Sequence, residues 1–516
     1  MSNLPCSNGG LATNHLVEDR SLKTQWRENR SYWTLCGILF VAMLMRTTSG
    51  VWGGDFWEHV AVIRELVTHP TQPTHPLIAT NAPNAFMTPY SVTLAAFARW
   101  FSLSPIAVLS AAGMVNLLFL FFAFERFVVS VFGPGRTVFY GLLLHVFLWG
   151  WQPWEYSGFL HFSALGYVLP YPSTLAIAFV FYGLALTNSY LDTRRLVPLL
   201  GLFGLSVSIL LIHPLSALLL VVGQGSLIVA RLRDQPRRTI ELGLHLAATF
   251  CAAFGAAAFW PFFPFLDLLS ENSAFHVSNP EMYQGVLMKV FPALLGLVPL
   301  WSRWRANRFD AIAIMFAFFS AIYVLGWVSG LWTYGRVLAF MILILHLLMA
   351  EWLVKRQTKS AFPSGRTSTW LKAAAVIMAI FAAVNFRYAI RYMFPVIPKN
   401  YARYLFLADH IGQYDIVMAD ARASWYVPPF GGKVVASRSM AFIPDREQRL
   451  TDVWRFFSTE ASPEERRAML KRYDVDYLLL NKFNRAVTEK IRDEAAEWAR
   501  PVYSDANFEL LKVLDR

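Results

Sequence analysis

Charge is scarce in this chain. Lys and Arg number 46 and Asp and Glu 34 among 516 residues, 16% in all, where a soluble domain carries about a quarter. Cysteine is nearly absent: Cys6, Cys36 and Cys251 are scattered, which excludes a disulfide framework and a cysteine metal knuckle. The polar opening stretch lacks a signal-peptide layout and a small-residue cleavage site, so the first apolar run reads as a retained anchor. There is no internal repeat of short period and no low-complexity linker. The net charge of +12 is unaccompanied by any basic-aromatic reader module, which excludes nucleic acid as a partner. Basic residues gathered in cytoplasmic loops account for that charge.

Apolar residues make up 56%, with 18 Trp and 42 Phe, and the mean hydropathy is +0.40. Runs long enough to cross about 30 Å of hydrocarbon begin at Tyr32–Ser49, Pro105–Phe132 and Thr137–Gly150. Ser173–Leu191, Leu196–Ile212, Pro214–Ala230 and Ile240–Trp260 follow. Val286–Trp301, Ala311–Val328, Val337–Val354 and Leu371–Tyr388 complete about eleven spans. The loops between them alternate in charge. One set carries Arg136, Arg194, Arg195, the cluster Arg231 to Arg238, Arg303, Arg305, Arg308, Lys355, Arg356, Lys359 and Arg366. The other set, around residues 152–172, 213, 261–285 and 329–335, contains no Lys or Arg. The positive-inside rule makes the first set cytoplasmic and the second external. That parity requires an odd number of spans, the N-terminus inside and the C-terminus outside.

The expected organisation is a cytoplasmic tail over 1–31, a polytopic α-helical membrane module over 32–394 with a long first outer loop at 50–89, and an external α/β domain over 395–516. Within the last, 415–419, 433–436, 475–480 and 508–514 read as short buried strands. Ser462-Pro463-Glu464-Glu465 is a capping box with Pro at the first helical position, opening a helix to about Tyr473.

Chemistry is concentrated in the first outer loop, at Gly53-Gly54-Asp55-Phe56-Trp57-Glu58-His59. In a helix over 55–68, Asp55, Glu58 and His59 share one face. Val60, Val62, Ile63, Leu66 and Val67 give it an apolar side that would lie along the bilayer surface, and His69-Pro70 stops it. The other external loops add Glu155, His161 and His213. Asp267, Glu271, His276 and Glu281 follow, then Tyr334-Gly335-Arg336 opening a late span. Acids and imidazoles converging where cations are few point to general-base work, a bound metal, or both. Each has a structural alternative. Asp55 with Glu58 at N3 fits a reciprocal capping box. Glu155 can be a solvated loop carboxylate, and His161, His213 and His276 can be satisfied turn or core histidines. Arg336, and with less weight Arg46, Arg64 and Arg99, can hold a phosphate or simply snorkel.

These features resemble the GT-C superfamily of membrane glycosyltransferases, which take sugars from polyprenyl-phosphate carriers. The likeness spans almost the whole chain. It lies in Gly54-Asp55-Phe56-Trp57-Glu58-His59, Glu155, His213-Pro214, Tyr334-Gly335-Arg336 and the external α/β tail. The Trp-Trp-Asp motif that reads sequons in oligosaccharyltransferases is absent. The resemblance implies Asp55 as base or metal ligand, Glu58 or Glu155 as helper, and Arg336 as the phosphate contact, with His59, His213 and Tyr334 at the substrate. It also implies a polyprenyl-phosphate-linked sugar donor, a glycan, lipid or protein acceptor, and a bacterial cytoplasmic (inner) membrane. A divalent cation, Mg or Mn, would sit on Asp55 and Glu155; family members differ on whether they use one. Two other readings are a lipid-linked-sugar flippase and a non-enzymatic membrane assembly protein. A flippase needs polar residues deep in the spans and broken midplane helices. Here Glu125 and Glu351 lie near cytoplasmic ends.

Overall fold

A computed structural model describes residues 12–270, 280–358, 366–394 and 401–514. Proline starts many of its helices. It occupies the first position of α3 (Pro89–Trp100), α4 (Pro105–Phe132), α7 (Pro172–Thr193), α9 (Pro214–Leu232) and α10 (Pro236–Ala258). Its fixed φ suits that place, and its missing N–H costs nothing there. Thr88 and Ser104 cap α3 and α4 by accepting from Ser91 N and Ala107 N.

Seven helices among the described residues have the length and apolarity to cross a bilayer. They are α4, α7, α9, α10, Val286–Ala306, Ala311–Ser329 and Trp332–Arg356. The expected count was about eleven. Two of the difference are α5 (Thr137–Phe147) and α8 (Leu196–Ile212), apolar helices of 11 and 17 residues. At 1.5 Å per residue, α5 reaches only about 16 Å. The first helix, α1 (Ala12–Thr48), starts well before the apolar run expected at Tyr32. The spans bury one large core, in which Phe121, Phe124, Phe127, Phe181 and Phe340 meet. Their outer faces expose Leu196, Val197, Leu200, Leu244, Val298 and Val328, the surface a lipid chain would cover.

Beyond residue 400 the chain builds a five-stranded mixed sheet of order β2-β1-β3-β5-β4. The strands are β1 (Ile416–Ala419), β2 (Lys433–Val434), β3 (Tyr477–Asn481), β4 (Ala499–Ser504) and β5 (Phe508–Val513). The β1 strand pairs in parallel with both β2 and β3, while β5 runs antiparallel to β3 and β4. The β4 strand was not expected, because its outward residues Arg500 and Pro501 break the apolar pattern. The capping box at Ser462 forms, with Ser462 and Glu465 bonded reciprocally, and its helix runs Pro463–Arg472.

The loop between α1 and α3 holds this domain to the helical body. Its helix α2 (Phe56–Thr68) buries ten residues, among them Glu58, His59 and Glu65. The amphipathic pattern suggested a helix lying on the bilayer. Instead its polar side is taken by the C-terminal domain, and its apolar side packs with Tyr90, Leu109 and Tyr171. Ile78 pairs in parallel with Val434 at the free side of β2, and Val434 N donates to Leu77 O at 2.8 Å. Lys433 Nζ donates to Glu65 Oε2 at 2.8 Å, the two side chains only 3% and 2% exposed. Lys433 also donates to His75 O, and Thr74 N and Oγ1 donate to Glu65 Oε1. His75 folds the loop beneath by accepting from Leu77 N and Ile78 N.

Removing one partner of such a pair strands a buried charge, which costs about 3–5 kcal/mol. Lys433→Met should therefore lower the unfolding free energy of the solubilised protein by about that amount. Glu65→Leu with Lys433→Met should recover most of it, since both charges leave together; denaturant titration followed by tryptophan fluorescence checks both.

Candidate active site

Gly53 and Gly54 set the geometry at the head of α2. Gly54 has φ +61°, and a Cβ there would lie 2.5 Å from Tyr167 Oη and 3.1 Å from Tyr171 Oη. Only glycine allows both the left-handed turn and this approach. Tyr171 Oη donates to Gly53 O at 2.8 Å, which fixes the turn from the head of α7. Asp55 then takes the N-cap position with helical φ and ψ, and its side chain makes no capping bond. Among the described residues its carboxylate makes no hydrogen bond or ion pair. The capping box that the sequence allowed is not formed.

Glu58, the other half of that box, turns the opposite way. It accepts hydrogen bonds from Ser437 Oγ at 3.1 Å and from Ser439 Oγ, both in the C-terminal domain. Burial pushes its carboxyl up to about 7, with the nearby Asp55 charge adding to the rise. The serines and Arg438 pull it back down. His59, 4% exposed, is lowered to about 4 by burial. Its ring lies between Phe86 at 4.8 Å and Tyr171 at 5.9 Å, and its Nδ1 is buried without a partner.

Asp55 itself is solvent-exposed, yet enough protein surrounds it that desolvation raises its carboxyl above the usual range. Open solvent on one side limits that rise. Arg336 and Arg438 act on it in the other direction, one from the helical body and one from the C-terminal domain. Both arginines line a cavity of about 480 Å³. Leu211, Ile212, Pro214, Leu215 and Leu268 give the cavity an apolar wall, and Arg438, Ser439, Arg446 and Glu447 a polar one. Asp55 is not itself among the lining residues; it stands beside the two arginines that are.

The remaining candidates divide. Glu155 is partly buried, and its charge, like that of Asp55, acts on Tyr167. His213 lines the cavity, with Nδ1 2.9 Å from Ser216 Oγ. Among the described residues Arg336 Nε is buried without a partner, and its guanidinium stands 6.0 Å from the Tyr156 ring. Tyr334 packs against Gly326 and does not line the cavity. His161 caps a short helix by accepting from Ala164 N, and its Nε2 lies 2.8 Å from Trp154 O, a structural role. Glu281 accepts from Tyr156 Oη. Arg46 is buried near the Trp52 ring, and Arg99 is exposed. Arg64 lies on α2 and is not part of the cavity wall. Glu271 and His276 fall outside the described residues.

No group of three or more His, Cys, Asp or Glu comes together as a metal site among the described residues. Two guanidiniums, Arg336 and Arg438, supply positive charge to Asp55. Arg438, Ser437 and Ser439 had no signal in the sequence. A lone arginine between two serines more than 370 residues from Glu58 looks like any surface loop.

A carboxyl raised by burial lends stability at low pH and loses it as pH rises toward its folded value. Glu58 should therefore cost the protein stability as pH climbs from about 4.5 through about 7. Relative to the native chain, Glu58→Gln should gain in melting temperature over that range; parallel curves for the two proteins between pH 5 and 8 would contradict the assignment.

No family model and no curated protein matches this sequence. Solved structures do. The archaeal oligosaccharyltransferase AglB from Archaeoglobus fulgidus, in complex with an inhibitory peptide and a dolichol-phosphate, superposes with TM-score 0.58 at 12% identity, over 93% of this chain and 74% of that one. ArnT from Cupriavidus metallidurans, bound to undecaprenyl phosphate, gives 0.52 at 15% identity over 92% and 97%. The arabinofuranosyltransferase AftD from Mycobacteria gives 0.55 at 14% identity, over 94% of this chain but 40% of its own. At these identities the likeness is one of fold alone: the chain shares the architecture of these three proteins.

Proposed function

We propose that the chain is a membrane glycosyltransferase that moves a sugar from a polyprenyl-phosphate donor to an acceptor hydroxyl. The observation that carries this reading is the pairing of a free carboxylate with an amphipathic cavity. Among the described residues the Asp55 side chain makes no capping bond, and the cavity beside it has one wall fit for a prenyl chain and one fit for an anion. The structures of the same fold that hold dolichol-phosphate and undecaprenyl phosphate support the donor class.

In this reading Asp55 takes the proton from the acceptor hydroxyl as its oxygen attacks the anomeric carbon. The bond from that carbon to the phosphate oxygen breaks, and the electron pair leaves on the phosphate, where Arg336 meets it. Partial desolvation makes Asp55 a stronger base than a free carboxylate, while the two arginines keep it ionised. A phosphate ester is already a good leaving group, so no acid is required on that side. A single displacement without a covalent intermediate inverts the anomeric centre. Glu58 is engaged by two serines, which leaves Glu155, across Tyr167, as the helper. The reaction would occur on the outer face of a bacterial cytoplasmic membrane, with the N-terminus inside and the C-terminal domain outside, as the loop charges imply.

Loss of a general base lowers rates by about 10²- to 10⁴-fold. Asp55→Asn should therefore reduce sugar transfer from labelled polyprenyl-phosphate donors in membrane vesicles to that extent, with the protein still inserted. Wild-type turnover in that variant would remove the proposed base. For sidedness, alkaline phosphatase fused after Arg516 should be active in cells, and an inactive fusion would reverse the orientation.

A further inference from the structure

We propose that Arg438, carried by the C-terminal domain, is the second cation of the anion site that Arg336 begins, so that the carrier phosphate is gripped from both sides of the cavity. This rests on the glycosyltransferase reading and gives the C-terminal domain a direct part in it. Arg438 is exposed and lines the same cavity as Arg336. Among the described residues it makes no hydrogen bond or ion pair; its guanidinium lies 5.2 Å from the Trp425 ring. Arginine left open in this way, with planar donors facing a cavity, suits a phosphate. Its place is not left to chance, because the serines on either side of it both donate to Glu58. The buried acid of the first loop thereby acts as a positioning residue for Arg438.

Charge balance argues the same way. A sugar joined to a prenyl chain through one phosphate carries a single negative charge. With Asp55 ionised and only Arg336 present, the loaded site would hold one negative charge in excess. With Arg438 included, two cations meet two anions. After transfer the proton sits on Asp55, and the departing phosphate monoester carries close to two charges. The two guanidiniums then face that dianion alone. A site with both arginines is near neutral before and after the step; a site with one is not. Glu447 in the same wall is paired with Arg446 at 3.3 Å, so that ion pair leaves the sum unchanged.

The test uses the full chain in lipid nanodiscs and farnesyl phosphate, a short prenyl monophosphate, with neutral farnesol as the control ligand. Calorimetric titration should show Arg438→Gln weakening farnesyl phosphate by about ten- to a hundredfold, the range for a hydrogen bond to a charged group. Arg438→Lys should recover part of the loss, the salt dependence of binding should flatten in the Gln variant, and farnesol should bind both proteins alike. Ser437→Ala with Ser439→Ala should weaken the phosphate too, and adding Arg438→Gln to that pair should cost little more. If Arg438→Gln binds farnesyl phosphate as the native chain does while Arg336→Gln does not, the role of Arg438 is overturned and the donor class stands. If the native chain binds farnesyl phosphate no better than farnesol, the polyprenyl-phosphate reading falls and takes this inference with it.

Discussion

A lysine and a glutamate separated by 368 residues meet in the dark between two halves of this molecule. Lys433 and Glu65 are each almost wholly excluded from solvent, and an isolated charge in such a place is untenable. Each therefore requires the other. Glu65 fixes one face of α2, and Lys433 begins β2, so this contact decides how the sheet domain sits on the helical body. The hydrogen bonds from Thr74 to the glutamate, and from the lysine to the carbonyl of His75, satisfy the atoms that the pair leaves over. Ala61, Leu77 and Ile78 of the first loop belong to the hydrophobic core of the C-terminal domain. The loop is thus as much a part of that domain as of the membrane module.

From this seam the site follows. About two turns of helix before Glu65 comes Glu58, whose two serine partners hold the strand-to-loop segment after β2. That segment supplies Arg438 to the polar wall of the cavity. The apolar wall comes from the turn between α8 and α9, with Leu268 beside it. The cavity is accordingly a composite: the helical body gives Arg336 and most of the apolar surface, and the C-terminal domain gives Arg438, Ser439, Arg446 and Glu447. Asp55 sits at the junction because two glycines let the chain turn under Tyr167 and Tyr171 before the helix starts.

Much of this was legible in the residues. Low charge and long apolar runs set the class, a chain of membrane-length apolar helices. The Ser462 capping box located a helix to the residue. Local signals of this kind survive because they depend on neighbours within four positions. The errors share the opposite cause. The Asp55–Glu58 spacing reads as a capping box, yet Glu58 finds better donors in Ser437 and Ser439, which no local pattern reveals. The apolar stripe of α2 reads as a membrane-surface helix because the sequence does not say that a sheet domain will cover its polar side. The β4 strand is hidden by a proline and an arginine tolerated at a sheet edge. Arg438 has no local mark at all; its meaning comes from what Glu58 does to its neighbours.

The β2 strand is only two residues long, and Ile78 of the first loop lies along its free side. Sheet borders left bare invite a second chain to zip onto them, and here the guard is lent by a segment encoded some 350 residues upstream. The sheet could not be excised and remain well behaved, for severing it would uncover a hydrogen-bonding rim and a stranded ammonium together. Nor could it be traded between relatives as a ready-made cassette. Any lineage that alters this domain must alter the loop that carries α2 with it, so the two should drift as one inherited unit.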